Sequence, residues 1–306
     1  MRKTIYTAPE QIAVASGALL SHSKENNRAK FVYQNNTPHY WAPVLASANY
    51  TQTKAQWQFN NAVSPVEIEI LHHPNHAENV PLIIAEIKSA LSFGTELWGR
   101  FPFDSIKVVE SPNGMNETII NGNLIIIPEQ QVWLHDYRNP PELDWIAFQI
   151  HRDITKVWWS SAAIDKVPGH VLFAEAMPTL VGLYGVESKH NEPAMKAIVN
   201  IFQDNYLRDR TTEEDNEASL VNLDEEIYAE NKAVLTLVEI RNLIGSEAFF
   251  NILTTYYQDV ITRQTGQYAN IEEFKQRLLR ATPNRQLKKE LEVLFIKAIP
   301  EALNDE

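Results

Sequence analysis

The spacing of apolar and polar positions changes character along the chain. Up to about residue 63, short runs mix aromatic and β-branched residues, as in "AKFVYQN" and "YWAPVLASANYTQTKAQWQFN", with "NNTP" as a turn signal; this spacing predicts short strands. The alternating "PVEIEIL" then predicts a strand, and "NHAENVPLIIAEIKSALSFGTELWG" a long helix. In that helix Ile83, Ile87, Ala90, Leu91, Leu97 and Trp98 keep helical spacing, and Gly99 suits its end. Two further strands, "SIKVVES" and "NLIIIPEQ", flank the loop "PNGMNETIING". From Pro141 onward helical spacing dominates, with helices expected near 142–162, 169–187, 192–207, 225–244, 246–262, 270–281 and 284–299. The acidic stretch "RDRTTEEDNEASLVNLDEE" reads as an exposed connection. This order of elements predicts an α+β fold with a small mixed sheet and a large helical half. The expected division is a β-rich segment over 1–63 and a larger domain over 64–306.

The segment 142–161 carries the most unusual pattern. Leu143, Ile146, Ala147, Ile150, Ile154, Val157 and Trp158 form one helical stripe. Arg152 and Lys156 lie opposite, yet Trp145, Phe148 and Trp159 flank them there. A helix apolar on both sides is normally buried between layers, and its cations then need partners. The alternative is a half-exposed surface helix, since like charges four residues apart cost only about 0.2–0.5 kcal/mol in water. The triplet His151-Arg152-Asp153 spells a kinase catalytic loop, but Trp158 stands where that loop needs an asparagine for metal. No glycine-rich phosphate loop accompanies it.

Charge and composition narrow the functional classes. A net charge of −12 over 306 residues argues against nucleic acid or an anionic membrane surface as the main partner. The chain has no cysteine, so disulfides and thiolate metal sites are excluded and the compartment stays open. The first residues lack the apolar run of a signal peptide. "VLFAEAMPTLVGLYGV" is interrupted by Glu175 and Pro178, too short and polar to span a bilayer. No direct membrane insertion is expected. The chain reads as a soluble domain, or as the soluble piece of a larger membrane protein.

Taken together, several segments resemble the gluzincin metallopeptidases of the aminopeptidase N family. Within it, the likeness is closest to domains fused to bacterial ABC transporter permeases. That family has a helix of the form HExxH-x-W-[WF], followed nineteen residues later by a glutamate. Against "RDITKVWW", the tryptophan pair puts Arg152 at the first histidine, Asp153 at the catalytic glutamate and Lys156 at the second histidine. Glu175, nineteen residues beyond Lys156, is similar to the family's third ligand. "EEIYAENKAVLTLVEIRNLIG" resembles the family's Y-x-K-G segment, with Glu230 at the oxyanion-stabilising tyrosine and Lys232 retained. The loop residues Asn113, Gly114, Met115 and Asn116 fall near the family's substrate-edge loop. The likeness runs over roughly residues 30 to 280. It implies a thermolysin-like fold preceded by a β-sandwich remnant.

The resemblance also implies a lost reaction. A zinc site of this kind needs two histidines on one helical face and a glutamate base. Arginine has no free lone pair, and lysine binds metal only after losing its proton, against an ordinary pKa of about 10.4. The expectation is therefore no zinc and no other cofactor, with Arg152, Lys156 and Glu175 as former metal positions and Asp153 and Glu230 as degenerate catalytic ones. Lys156, with Arg152, is expected to pair with Glu175 in place of the ion. The implied function is binding of a peptide or protein in the former cleft, in a domain of an ABC exporter system, extracytoplasmic in a bacterium. Two alternatives stay open: an active zinc aminopeptidase with atypical ligands, and a purely structural interaction module. His72, His73 and His76 ("HHPNH") read as a turn rather than a metal site. His39, His135, His170 and His190 read as surface or capping residues, and Ser160-Ser161 lacks a nucleophile's context. Trp98, Trp145, Trp158 and Trp159 read as core.

Overall fold

Strands that are apolar on both faces belong inside a sheet covered on both sides, and two such strands set the centre of the first half of the chain. A computed structural model describes residues 1–35, 44–61, 63–112, 114–160, 162–163, 167, 169–210, 217–224, 226–264 and 266–299. It divides into two compact units, residues 1–95 with 100–157, and residues 96–99 with 158–306.

In the first unit, β1 (Arg2–Thr7), β2 (Ile12–Ala15), β3 (Ala18–Glu25), β4 (Arg28–Gln34) and β5 (Leu45–Ala48) make two small antiparallel sheets, ordered β1-β4-β3 and β2-β5. A five-stranded mixed sheet follows from β6 (Thr51–Trp57), β7 (Val66–His72), β8 (Ser105–Ser111), β9 (Ile119–Asn121) and β10 (Leu124–Pro128), ordered β6-β7-β8-β10-β9. The inner three strands are parallel and the two outer ones antiparallel to their neighbours. The helix α1 (Val80–Trp98) makes the crossover that a parallel β7–β8 pair requires. Ile70, Val108 and Ile125 share one face of the sheet and are fully buried. Leu71, Val109, Leu124 and Ile126 share the other face and pack with Val14 of β2.

Two short elements escaped the sequence pattern. β9 lies inside the stretch read as a loop, and Gly122 (φ +62°) turns it into β10 through a two-residue hairpin loop. Beyond Pro128, which has no N–H for a ladder, the chain forms the helical turn α2 (Glu129–Val132) rather than more strand. α3 (Pro140–Trp159) then runs close to its expected bounds.

The second unit is helical: α4 (Met177–Lys189), α5 (Glu192–Arg210), α6 (Ala229–Ile244), α7 (Ser246–Ile261), α8 (Ile271–Ala281) and α9 (Arg285–Ile296). Asn270 and Asn284 cap α8 and α9 with side-chain oxygens that accept N–H groups of the first turn. The helix expected over 169–187 begins instead with a wide π-helical turn, Leu172–Ala176. Pro178 cannot donate to the carbonyl four residues earlier, which accounts for a loosened turn just before α4. Trp98, Trp159, Phe173 and Tyr257 form an aromatic core with ring centroids 5.0–5.6 Å apart. Among the described residues no helix is long and apolar enough to cross a membrane.

Each unit also buries a lysine almost completely. In the first, Lys107 lies on the β2-facing side of the sheet and donates to the carbonyls of Ala15 (3.0 Å) and Gly17. Gly17 (φ +93°) tolerates no side chain, because a Cβ would lie 2.2 Å from the Gln34 carbonyl oxygen. In the second unit, the fully buried Lys232 donates to Glu217 (2.7 Å) and to the carbonyls of Ala218 and Ala298. Burial pulls the Lys107 amine down to about 8, against a smaller opposing pull from Glu69. The unfolded chain therefore binds more protons than the folded one between about pH 8 and 10.5, and this group's contribution to stability rises with pH across that window. Chemical denaturation is expected to show the stability difference between wild type and Lys107→Met growing over the same window. Lys232→Met, which leaves Glu217 to Tyr206 and Arg210, is expected to lower unfolding free energy by about 1–3 kcal/mol in the same assay.

Candidate functional site

α3 is the element on which the sequence places the altered motif, and its burial removes the surface-helix alternative. From Ile146 to Trp159 every residue is buried except Arg152 and Lys156, which are partly exposed. A helix covered so completely must satisfy its polar side chains internally. His151 lies 3.8 Å from Glu86 of α1, both buried, with Phe93 beside the imidazole. The Arg152 guanidinium sits over the Phe148 ring, and its Nε donates to Asp153 Oδ1 at 3.2 Å.

Asp153 is 1% exposed, and both its oxygens are engaged. While Oδ1 takes the Arg152 N–H, Oδ2 lies 3.2 Å from the Thr118 hydroxyl and 3.5 Å from Gln149 Nε2. The Gln131 side-chain oxygen completes the group, accepting from Thr118 at 2.8 Å and from Gln149 at 3.1 Å. The amides of α2 reach into the expected cleft loop: Gln130 donates to the Met115 carbonyl (2.9 Å) and Gln131 to that of Asn116 (3.0 Å). Of the four loop candidates, Gly114 (φ +115°) and Asn116 are exposed, Met115 is partly buried, and Asn113 lies outside the described residues. The structure thus brings Arg152 and Asp153 together with the loop through Thr118, Gln131 and Gln149. None of those three was singled out in the sequence. Gln149 carried a usable signal, standing one helical turn before Asp153 in an otherwise apolar run.

Glu175 and Glu230 belong to the second unit. Glu175 sits on the wide turn before α4 and is partly buried. Four residues later, Thr179 donates its hydroxyl to Glu230 on the first turn of α6, at 3.0 Å. Glu230 is therefore an acceptor of a hydrogen bond, where a tyrosine would be a donor. Lys232 does not line a cleft; it is spent on Glu217 and two backbone carbonyls.

The histidine-rich turn is held by Glu110, whose oxygens take the His73 backbone N–H (2.6 Å) and the His76 ring (2.5 Å). His72 stacks on Trp133. Among the described residues, no group of three or more His, Asp or Glu side chains is arranged to hold a metal ion. His135 contacts Glu142 at the start of α3, His170 lies 3.6 Å from Asp224, and His190 follows α4. Ser160 is exposed, while His39 and Ser161 lie outside the described residues. Trp98, Trp158 and Trp159 are core; Trp145 is only partly buried, tilted against Phe148.

No family profile matches the chain, and no curated protein sequence does. Solved structures do. The M1 zinc metallopeptidase of Deinococcus radiodurans is similar with a TM-score of 0.72 at 14% identity, over 98% of this chain and 65% of that one. A glutamate-to-alanine mutant of the M1 zinc metallopeptidase from that organism matches with a TM-score of 0.72 at 14% identity, over 98% of this chain and 66% of its own. A mutant bound to the substrate Tyr-Ser-Ala gives 0.71 at 14% identity, over 98% and 65%. The chain thus spans slightly less than two thirds of the length of these neighbours. Its α+β architecture, with a small mixed sheet and a large helical part, is the fold of M1 metallopeptidases.

Proposed function

We propose that the chain is a metallopeptidase-like domain without zinc chemistry, which works by binding a peptide or a segment of a partner protein. The observation that carries this reading is the state of α3. Where the fold's relatives are named for zinc, this helix presents Arg152 and Lys156, neither of which is a ligand at neutral pH. The donor set does not fit the ion. The carboxylate at the base position, Asp153, is occupied by Arg152, Thr118 and Gln149. A general base needs an open acceptor within hydrogen-bond reach of the proton it takes. The link to an ABC exporter rests on the sequence resemblance, as does an extracytoplasmic place.

Elemental analysis of the purified protein, paired with calorimetry and chromatography on Tyr-Ser-Ala, tests the reading. The expected result is no stoichiometric zinc, and binding of the tripeptide without cleavage. One zinc per chain, or hydrolysis of the peptide, would overturn it in favour of an enzyme. Absence of any peptide or protein ligand would favour a structural module.

A further inference from the structure

We infer that Asp153 is a positioning residue that clamps the Met115–Thr118 segment onto α3. The carboxylate and the loop are joined by one hydroxyl. Thr118 Oγ1 lies 3.2 Å from Asp153 Oδ2 and 2.8 Å from Gln131 Oε1, so the last residue before β9 is fixed between α2 and α3. The two preceding carbonyls, Met115 and Asn116, are held from the α2 side by Gln130 and Gln131. Gln149 bridges the two anchors, since its Nε2 faces both Gln131 Oε1 (3.1 Å) and Asp153 Oδ2 (3.5 Å). Arg152 holds the other carboxylate oxygen and so fixes the rotamer that the clamp needs.

The side-chain length is part of the design. A carboxylate one methylene shorter than glutamate stays near its own helix, beside Gln149 one turn back, instead of projecting beyond it. The consequence is a loop whose exposed residues, Gly114, Asn116 and Glu117, stand on a fixed base at the start of an outer strand. Asn116 and Glu117 are exposed and Met115 and Thr118 only partly buried, so side-chain hydrogen bonds weigh heavily in the opening of the segment. This assignment concerns the same site as the binding reading, and the value of a fixed loop for affinity rests on that reading. The clamp itself does not.

Hydrogen exchange measured by mass spectrometry on Asp153→Ala and Thr118→Val tests it. Amides of residues 115–118 are expected to exchange about tenfold faster in each variant, with those of β1 and β4 unchanged. The double variant is expected to match Thr118→Val, which removes the contact to Asp153 together with the one to Gln131. If Asp153→Ala destabilises the whole protein, Thr118→Val alone decides, since it deletes only a hydroxyl. Unchanged exchange at 115–118 in Thr118→Val overturns the clamp. In parallel, Thr118→Val at an unchanged thermal midpoint is expected to bind Tyr-Ser-Ala about tenfold more weakly, which a purely structural threonine would not produce. A wild-type protein that ignores Tyr-Ser-Ala counts against the binding reading, and the exchange data still judge the clamp.

Discussion

Enclosing α3 on nearly every side obliges each polar group it carries to find a partner inside the protein, and much of the first unit is arranged around that demand. Thr118, Gln131 and Gln149 exist in this geometry because Asp153 is buried, and a buried carboxylate without donors is far more costly than one with them. Glu86 of α1 lies 3.8 Å from His151, an ion-pair separation longer than a hydrogen bond. The loop before β9 is drawn in as a donor, so a requirement of solvation in the helix becomes a geometric constraint on the loop.

Buried amines do similar work elsewhere. Lys107 gathers the carbonyls of Ala15 and Gly17 onto the five-stranded sheet, and Lys232 gathers those of Ala218 and Ala298 around Glu217. In both cases one flexible ammonium with three donors joins segments far apart in sequence, a role no apolar side chain fills. Burial pulls both amines below the ordinary lysine range, Lys107 against Glu69 and Lys232 against Glu217.

The long elements were legible from spacing alone. α3 and the helices after it repeat the apolar period over many residues, β7 alternates, and β8 and β10 carry the isoleucine and valine runs of strands buried on both faces. Short elements were not: β9 has three residues, and α2 is a single turn whose start depends on Pro128. The motif positions Arg152, Asp153, Lys156, Glu175 and Glu230 came from likeness to a family, which says what a residue replaced and not what it now touches. Thr118 and Gln131 were invisible because nothing in a linear sequence marks which hydroxyl faces a carboxylate thirty-five residues away, or which amide oxygen takes that hydroxyl. The π-helical turn under Glu175 has a readable cause, Pro178, but proline predicts a disturbance without specifying its form.

The Thr118 hydroxyl owns a single proton and faces two acceptors, Gln131 Oε1 and Asp153 Oδ2. When it goes to Asp153, Gln149 still supplies Gln131 Oε1 at 3.1 Å; when it goes to Gln131, the carboxylate keeps Arg152 on its other oxygen. One proton can therefore change sides while each acceptor retains a donor, so the anchor under the loop keeps its geometry in either arrangement of hydrogen bonds.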